Sequence, residues 1–411
     1  MLDKKYLSVE EAVELILKNI NFRCLQPETV PIELAYGRVT YEDIIAPEDL
    51  PGFNRCTVDG FAVKSSDTFG AKETSPRYLT LKGEIPMGEP PCFSITSGET
   101  AAISTGGMLP EGADAVVMLE HVNVVSKDLV EILKAVSPGE NIIFKDEDIK
   151  KGEIVISAGH RLKPHDIGAL AGLGIKEIRV VKKPTVSIIL TGDEIIPHTY
   201  PAMPGKVRDI NSFILEGVLI HSGASALKMG IVKDDYHEIK GLVNKAFEIS
   251  DIVIITGGTS AGIRDLTAKI IDEIGTPGVL FHGVSIKPGK PIIGGVCSGK
   301  PVFGLPGHPV AVYICFELFV KPAIEKMLGL SDKNFKKTVK AILTRSISSQ
   351  PGRQDFIRVY LEKKEEKILA TPLLSKSGLI MSLVKADGIL RIPASLLGFE
   401  EGEEITVEII D

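Results

Sequence analysis

Residues 251–265 read DIVIITGGTSAGIRD, and the fold turns on how that run is interpreted. Ile252–Thr256 is short, β-branched and apolar, the composition of a strand buried on both faces of a parallel sheet. The run stops at Gly257-Gly258, where the backbone can take angles closed to other residues. Thr259 and Ser260 add hydroxyls, and Gly262 lets the main chain approach a ligand closely. Asp265 follows as the expected N-cap of a helix over LTAKIIDEI. A strand, a glycine turn and a helix start make an anion site, because free N–H groups and the positive end of the helix dipole converge there. Such a turn also serves plain tight packing, so its neighbours must carry the reading.

Two neighbours share the pattern. Val186–Leu190 ends in Thr191-Gly192-Asp193-Glu194, and Val302–Leu305 ends in Pro306-Gly307-His308-Pro309 before an apolar helical run. From Pro184 to Leu330 strand-like and helix-like stretches alternate, which predicts a doubly wound α/β domain with a crevice beyond the carboxyl ends of its strands. Asp234-Asp235 fall where the strand SALKMGIV passes to a helix; one is expected to cap it, leaving the other to face the crevice.

Outside this domain the rhythm differs. Ser8-Val9-Glu10-Glu11 reads as a capping box for a helix to about Ile20, with apolar residues at 9, 13, 16, 17 and 20. PGFNRCTVDGFAV, residues 51–63, carries the turns Pro51-Gly52 and Asp59-Gly60, and Tyr78–Val136 breaks into short strands around the polar turn Ser104-Thr105-Gly106-Gly107. Residues 141–163 suggest a charged loop, with Glu147-Asp148 at its tip, and a strand pair. Pro164 marks a helix start, and strands separated by Gly and Pro return after residue 331. The expected organisation is multidomain α/β plus β. Residues 1–50 and 149–184 form a discontinuous connector or dimerisation domain, 51–148 an inserted β domain, 185–330 the α/β domain and 331–411 a C-terminal β-barrel-like domain.

Composition narrows the function. With 411 residues, 44% hydrophobic content and 47 basic against 54 acidic residues, this is a folded multidomain chain with no basic block, so no nucleic-acid surface is expected. Cys24, Cys56, Cys92, Cys297 and Cys315 are scattered without a CxxC pair, the usage of a reduced, cytoplasmic protein lacking a zinc cluster. No apolar run reaches membrane-spanning length, and no signal peptide opens the chain, so no membrane partner is expected.

The motifs, taken in order, are PGFNRCTVDGFAV, STGGMLPEGADAVVMLEHV, EDIKKGEIV, ILTGDEI, GIVKDD, ITGGTSAGIRD, SIKPGKP, GLPGHPV and GRQDFIRV. As a set they resemble the molybdopterin molybdenumtransferase family, which includes the E domain of gephyrin, over essentially the whole chain. The resemblance implies insertion of molybdenum from molybdate into adenylylated molybdopterin, with release of AMP, in the last step of molybdenum cofactor synthesis. It implies an elongated homodimer in which the α/β domain of one subunit, similar to the adenylyltransferase fold, faces the small β domain of the other. The upstream adenylyltransferase and molybdoenzyme acceptors would be partners. Molybdopterin adenylylation, tungstate-selective insertion and a non-catalytic scaffold stand as the alternatives.

Position by position, the resemblance places acidic site residues at Asp59, Asp148, Glu194, Asp234 and Asp265, with Thr105 as polar partner and Lys287 in SIKPGKP as a catalytic cation. Substrate contacts are expected from Thr191, Gly257, Gly258, Thr259, Ser260, Gly262, Lys290, Pro306, Gly307, His308, Pro309 and Ser382. So many carboxylates would repel an anionic substrate unless a hard cation such as Mg²⁺ bridged acid and phosphate oxygens, and Glu194 and Asp265 are the expected metal ligands. Many relatives have Asn where His308 stands and Lys where Gly283 stands, so both positions depart from the pattern.

Overall fold

The structure, a computed structural model, describes residues 6–21, 26–257, 261–330 and 337–410, and for 261–264 the backbone alone. Gly258, Thr259, Ser260 and Cys24 lie outside the described residues, as does everything but the backbone at Gly262.

Helix α1 (Val9–Asn19) opens on the expected capping box: the Ser8 hydroxyl accepts from the Glu11 amide and the Glu11 carboxylate from the Ser8 amide at 2.8 Å. The apolar face of α1 is expected to pack on another domain or subunit, and its buried residues Val9, Ala12 and Ile16 share one core with Phe281, Phe319 and Ile324 of the α/β layer. An amphipathic face announces that it will be buried, but not against what.

The connector forms where distant segments pair. Pro27–Pro31 runs antiparallel to Glu177–Val181, and Ile44–Ile45 to Ile154–Ile156, with α2 (Pro164–Gly172) packed alongside. The expected strand pair within 141–163 does not form. Ile142–Ile143 pairs with Arg55–Cys56, and the residues before and after it, Asn141 and Asp146, take left-handed backbone angles. Between the two connector segments, Gly60–Val63 sits inside a 6-stranded sheet next to Glu99–Ile103 and Ala115–Met118. A Cβ on Gly60 would stand 2.0 Å from the Val117 carbonyl oxygen, so the Asp59-Gly60 corner can only be glycine.

The α/β layer has 6 strands, in the spatial order Ser225–Val232, Thr185–Thr191, Ile252–Gly257, Lys300–Leu305, Ile293–Cys297, Pro277–His282. The first four are parallel, and Ile293–Cys297 runs antiparallel to both of its neighbours, Lys300–Leu305 and Pro277–His282. Successive residues of Ile252–Ile255 point to opposite faces. Ile252 and Ile254 meet α3 (Asn211–Ser222) through Leu215 and Leu219, while Val253 and Ile255 meet α4 (Tyr236–Ile249) and α5 (Ala261–Ile274). The chain winds outward from Thr185–Thr191 through α3 and then returns to its other side at Ile252–Gly257. Thr191 and Gly257, register partners, therefore flank the point where the strand order reverses.

The C-terminal strands Gln354–Lys364, Lys367–Pro372, Thr338–Leu343, Glu404–Ile409 and Gly388–Ile392 close into a barrel through pairing of the first with the last. One short strand of the α/β unit, Ile286–Lys287, extends that barrel sheet by pairing in parallel with Gln354–Asp355. No described helix is long and apolar enough to cross a membrane.

Candidate active site

The pairing of Ile286–Lys287 with the barrel creates a cleft of about 1040 Å³ between the α/β strand ends and the barrel wall. Gly257, Pro306 and His308 contribute one side and Lys287, Pro288, Gly289 and Lys290 the floor. Arg353, Arg358 and the stretch 373–377 form the other side. Lys287, Lys290, Arg353, Arg358 and Lys376 bring five cationic side chains to it, and no Asp or Glu is among its described lining residues. A wall of one sign facing a partly enclosed space favours an anion strongly.

Local chemistry fixes each cation. Gly289 takes φ +110° and brings its α-carbon onto Cys315, whose sulfur would lie 2.6 Å from an added Cβ, so the turn carrying Lys287 and Lys290 packs against the buried end of the helix Pro309–Cys315. Arg353 is clamped by Asp355, Nε to Oδ1 at 2.8 Å and Nη2 to Oδ2 at 3.2 Å, and its Nη1 donates to Gln350. Asp355 is 1% exposed, so the guanidinium is held on a rigid support. Arg358 is 4% exposed, and its Nη2 donates to the Leu373 and Ser375 carbonyls and the Ser375 hydroxyl while Nε has no partner. Burial lowers its pKa, and none of its hydrogen-bond partners is a carboxylate. A guanidinium so placed is stabilised by whatever anion enters the cleft.

The turn Pro306-Gly307-His308-Pro309 is held from below. The Thr256 hydroxyl donates to the Pro306 carbonyl at 3.1 Å, and Asn211 Nδ2 donates to the Gly307 carbonyl at 2.9 Å. Pro309 begins α6 (Pro309–Cys315), and His308 Nδ1 meets the Ser377 hydroxyl at 2.9 Å. The stretch 375–382 thus reaches the neighbouring unit, as its polarity suggests. The Ser382 hydroxyl donates to the Leu379 carbonyl at 2.8 Å, within its own short turn.

The acidic residues gather elsewhere. Asp235 caps α4 by accepting from the His237 and Glu238 amides, which leaves Asp234 beside Asp193 and Glu194 at the ends of two adjacent strands. Burial, then Asp193 and Glu194, push the pKa of Asp234 up, and its Oδ1 is buried without a partner. Asp59 accepts from the Thr105 amide at 2.7 Å and hydroxyl at 2.9 Å, which together hold its carboxyl below the usual range. Asp148 is exposed on the loop that packs beside Leu50, in the same N-terminal unit as Asp59. Asp265 does not cap α5, because the helix begins at Ala261 and carries it exposed in the second turn. Within one chain, then, the cleft collects Gly257, Lys287, Lys290, Pro306 and His308. Asp59, Thr105, Asp148, Thr191, Glu194, Asp234, Asp265, Gly307, Pro309 and Ser382 are not among its lining. Thr191 is next to it all the same, since an added Cβ at Gly257 would lie 1.8 Å from the Thr191 carbonyl oxygen.

Arg353, Arg358, Lys376 and Asn211 are site residues that the sequence alone does not single out. GRQDFIRV was the available signal: it puts two arginines on one strand of a different unit, and only the parallel pairing with Ile286–Lys287 shows that they face the lysine turn.

Comparison with known proteins agrees with this architecture. Residues 7–174 match the MoeA N-terminal region (domain I and II), 187–326 the molybdopterin-binding domain of molybdenum cofactor biosynthesis proteins, and 340–410 the MoeA C-terminal region (domain IV). A molybdopterin biosynthesis protein of Methanocaldococcus jannaschii is 40% identical over 389 residues, 93% of this chain and 92% of that one. The molybdopterin molybdenumtransferase of Bacillus subtilis is 33% identical over 94% of this chain and 90% of its own. The crystal structure of a molybdopterin biosynthesis MoeA protein from Pyrococcus horikoshii OT3 superposes with a TM-score of 0.86 at 38% identity, covering 99% of this chain and 100% of that one. The chain belongs to the MoeA family, the molybdopterin molybdenumtransferases of molybdenum cofactor biosynthesis.

Proposed function

We propose that this protein transfers molybdenum from molybdate to adenylylated molybdopterin, releasing AMP and the molybdenum cofactor. The carrying observation is the cleft itself: five cationic side chains and no carboxylate line a space of about 1040 Å³ next to the strand-order reversal at Thr191 and Gly257. In this reading Lys287, Lys290, Arg353 and Arg358 hold the oxyanion, and the strand ends receive the phosphate linkage.

Mg²⁺ fits the acidic side of the site. Asp234 has an unpartnered buried oxygen and a pKa raised by burial and by two further carboxylates, an arrangement that a cation would relieve. No group of three or more such ligands is preformed among the described residues, so phosphate oxygens of the substrate would complete the shell around Glu194 and Asp234, with Asp265 approaching from α5. When bound, the ion would neutralise charge developing on the leaving AMP.

Asp59, Thr105 and Asp148 enter this site from a second copy of the chain. The connector exposes Leu34, Tyr36 and Ile154 at 70%, 66% and 53%, an apolar face suited to a homodimer. The reduced cysteines and the absence of a membrane-length apolar helix among the described residues suit a cytoplasmic enzyme acting between an adenylyltransferase and apo-molybdoenzymes.

The deciding assay follows AMP release from adenylylated molybdopterin with and without molybdate. Molybdate-dependent release is expected; consumption of ATP with molybdopterin, and no such release, would replace the proposal with adenylylation.

A further inference from the structure

Tyr6 reaches the cleft from the opposite end of the chain. Its ring lines the space, and Lys290 Nζ stands 4.3 Å from the ring centroid. The ring also lies flat against the backbone at Gly283. A Cβ there would meet its Cε1 and Cδ1 at 2.6 and 2.8 Å, and Gly283 has φ +92°. The departure at Gly283 therefore has a physical cause, since Tyr6 fills the room a side chain would need.

The strap carrying Tyr6 is fixed on both sides. Leu7 bridges Val284 in parallel, its carbonyl accepts the Ser285 amide at 3.0 Å, and the Ser285 carbonyl in turn accepts the Gln354 amide at 2.9 Å. One helical turn on, the Glu10 carboxylate pairs with Arg391 and takes a bond from Gln354 Nε2 at 3.4 Å, so the strap spans the α/β unit and the barrel. No carboxylate pairs with Lys290 among the described residues, and its ammonium stands over the Tyr6 ring face.

We propose that Tyr6 is a positioning residue that aims the Lys290 ammonium at the oxyanion in the cleft. The inference deepens the proposed function and rests on its oxyanion site. A lysine stem is flexible, and a ring that holds its charged end in place before binding reduces the ordering needed when the anion arrives.

Calorimetric titration of molybdate into the full-length protein tests this. Tyr6→Phe keeps the ring and should bind within about 2-fold of the unaltered protein, whereas Tyr6→Leu, which still fills the space over Gly283, should bind roughly 3- to 30-fold more weakly. Lys290→Ala should weaken binding too, and adding Tyr6→Leu to it should cause no further loss. Tyr6→Leu binding as tightly as the unaltered protein would overturn the inference while leaving the oxyanion site standing, and so would losses that multiply in the double variant. An unaltered protein that binds no molybdate would overturn both.

Discussion

His308 Nδ1 and the Ser377 hydroxyl lie 2.9 Å apart at the rim of the cleft, joining the first residue before α6 to the barrel loop that also supplies Lys376. Asn can make the same bond to the Ser377 hydroxyl and Ala cannot. His308→Asn should keep the molybdate KM within about 2-fold, while His308→Ala should raise it roughly 2- to 10-fold through a looser loop. Steady-state kinetics of AMP release would measure both.

Asp234 works against the fold that holds it. Its pKa is raised, so the folded state keeps this proton to higher pH than the unfolded chain does, and the group's contribution declines as pH rises from the ordinary carboxylate range through the folded value. Asp193 and Glu194 are the charges that face it. Asp234→Asn removes the repulsion and should raise the melting temperature at pH 7 by roughly 1–3 °C. The same change should lower kcat by about 100-fold or more if the carboxylate serves the cation and phosphate. Differential scanning fluorimetry between pH 4 and 8 should show the stability gain shrinking as pH falls.

Asp59 and Lys287 belong to different halves of the proposed composite site. In the proposed homodimer, Asp59→Ala and Lys287→Ala should each be inactive on their own. Refolded or co-expressed together they should regain roughly a quarter of normal activity, because half of the dimers are mixed and each of those has one intact site. No recovery on mixing would show that Asp59 does not complete the site of a second copy.

Two glycines give opposite stability outcomes. Gly257→Ala forces a Cβ to within 1.8 Å of the Thr191 carbonyl at φ +130° and should cost about 3 kcal/mol or more, enough to leave the protein largely insoluble. Gly241→Ala, in α4 with nothing within 4 Å of the new carbon, should stabilise by about 0.5–1 kcal/mol. Urea denaturation of the Gly241 variant and the soluble yield of the Gly257 variant are the readouts.

The α/β layer was legible because its strands are apolar runs ended by glycine and proline, and both signals are local. The capping box at Ser8, the helix start at Pro164 and a cap at one of Asp234 and Asp235 were legible for the same reason. What escaped depends on partners far away in sequence. The α1 face is visibly apolar, but nothing in it names Phe281 or Ile324 as its neighbours. The β-branched runs at 142–143 and 154–156 look like a strand pair until each finds a better partner upstream. Asp265 looks like a cap because Asp so often caps, yet the periodic residues before it let α5 begin at Ala261. Arg353 and Arg358 were visible as a motif without an address, because the pairing of Lys287 with Asp355 is set by the meeting of two units.

The bridge from Leu7 to Val284 has a consequence for how the protein is made. During translation the first residues leave the ribosome long before their binding edge exists. They must stay unpaired while the β insert and most of the α/β layer are synthesised and fold. Only then can Tyr6 and Leu7 lie down beside Lys290 and Val284, so the anion pocket would be among the last features of the nascent chain to mature.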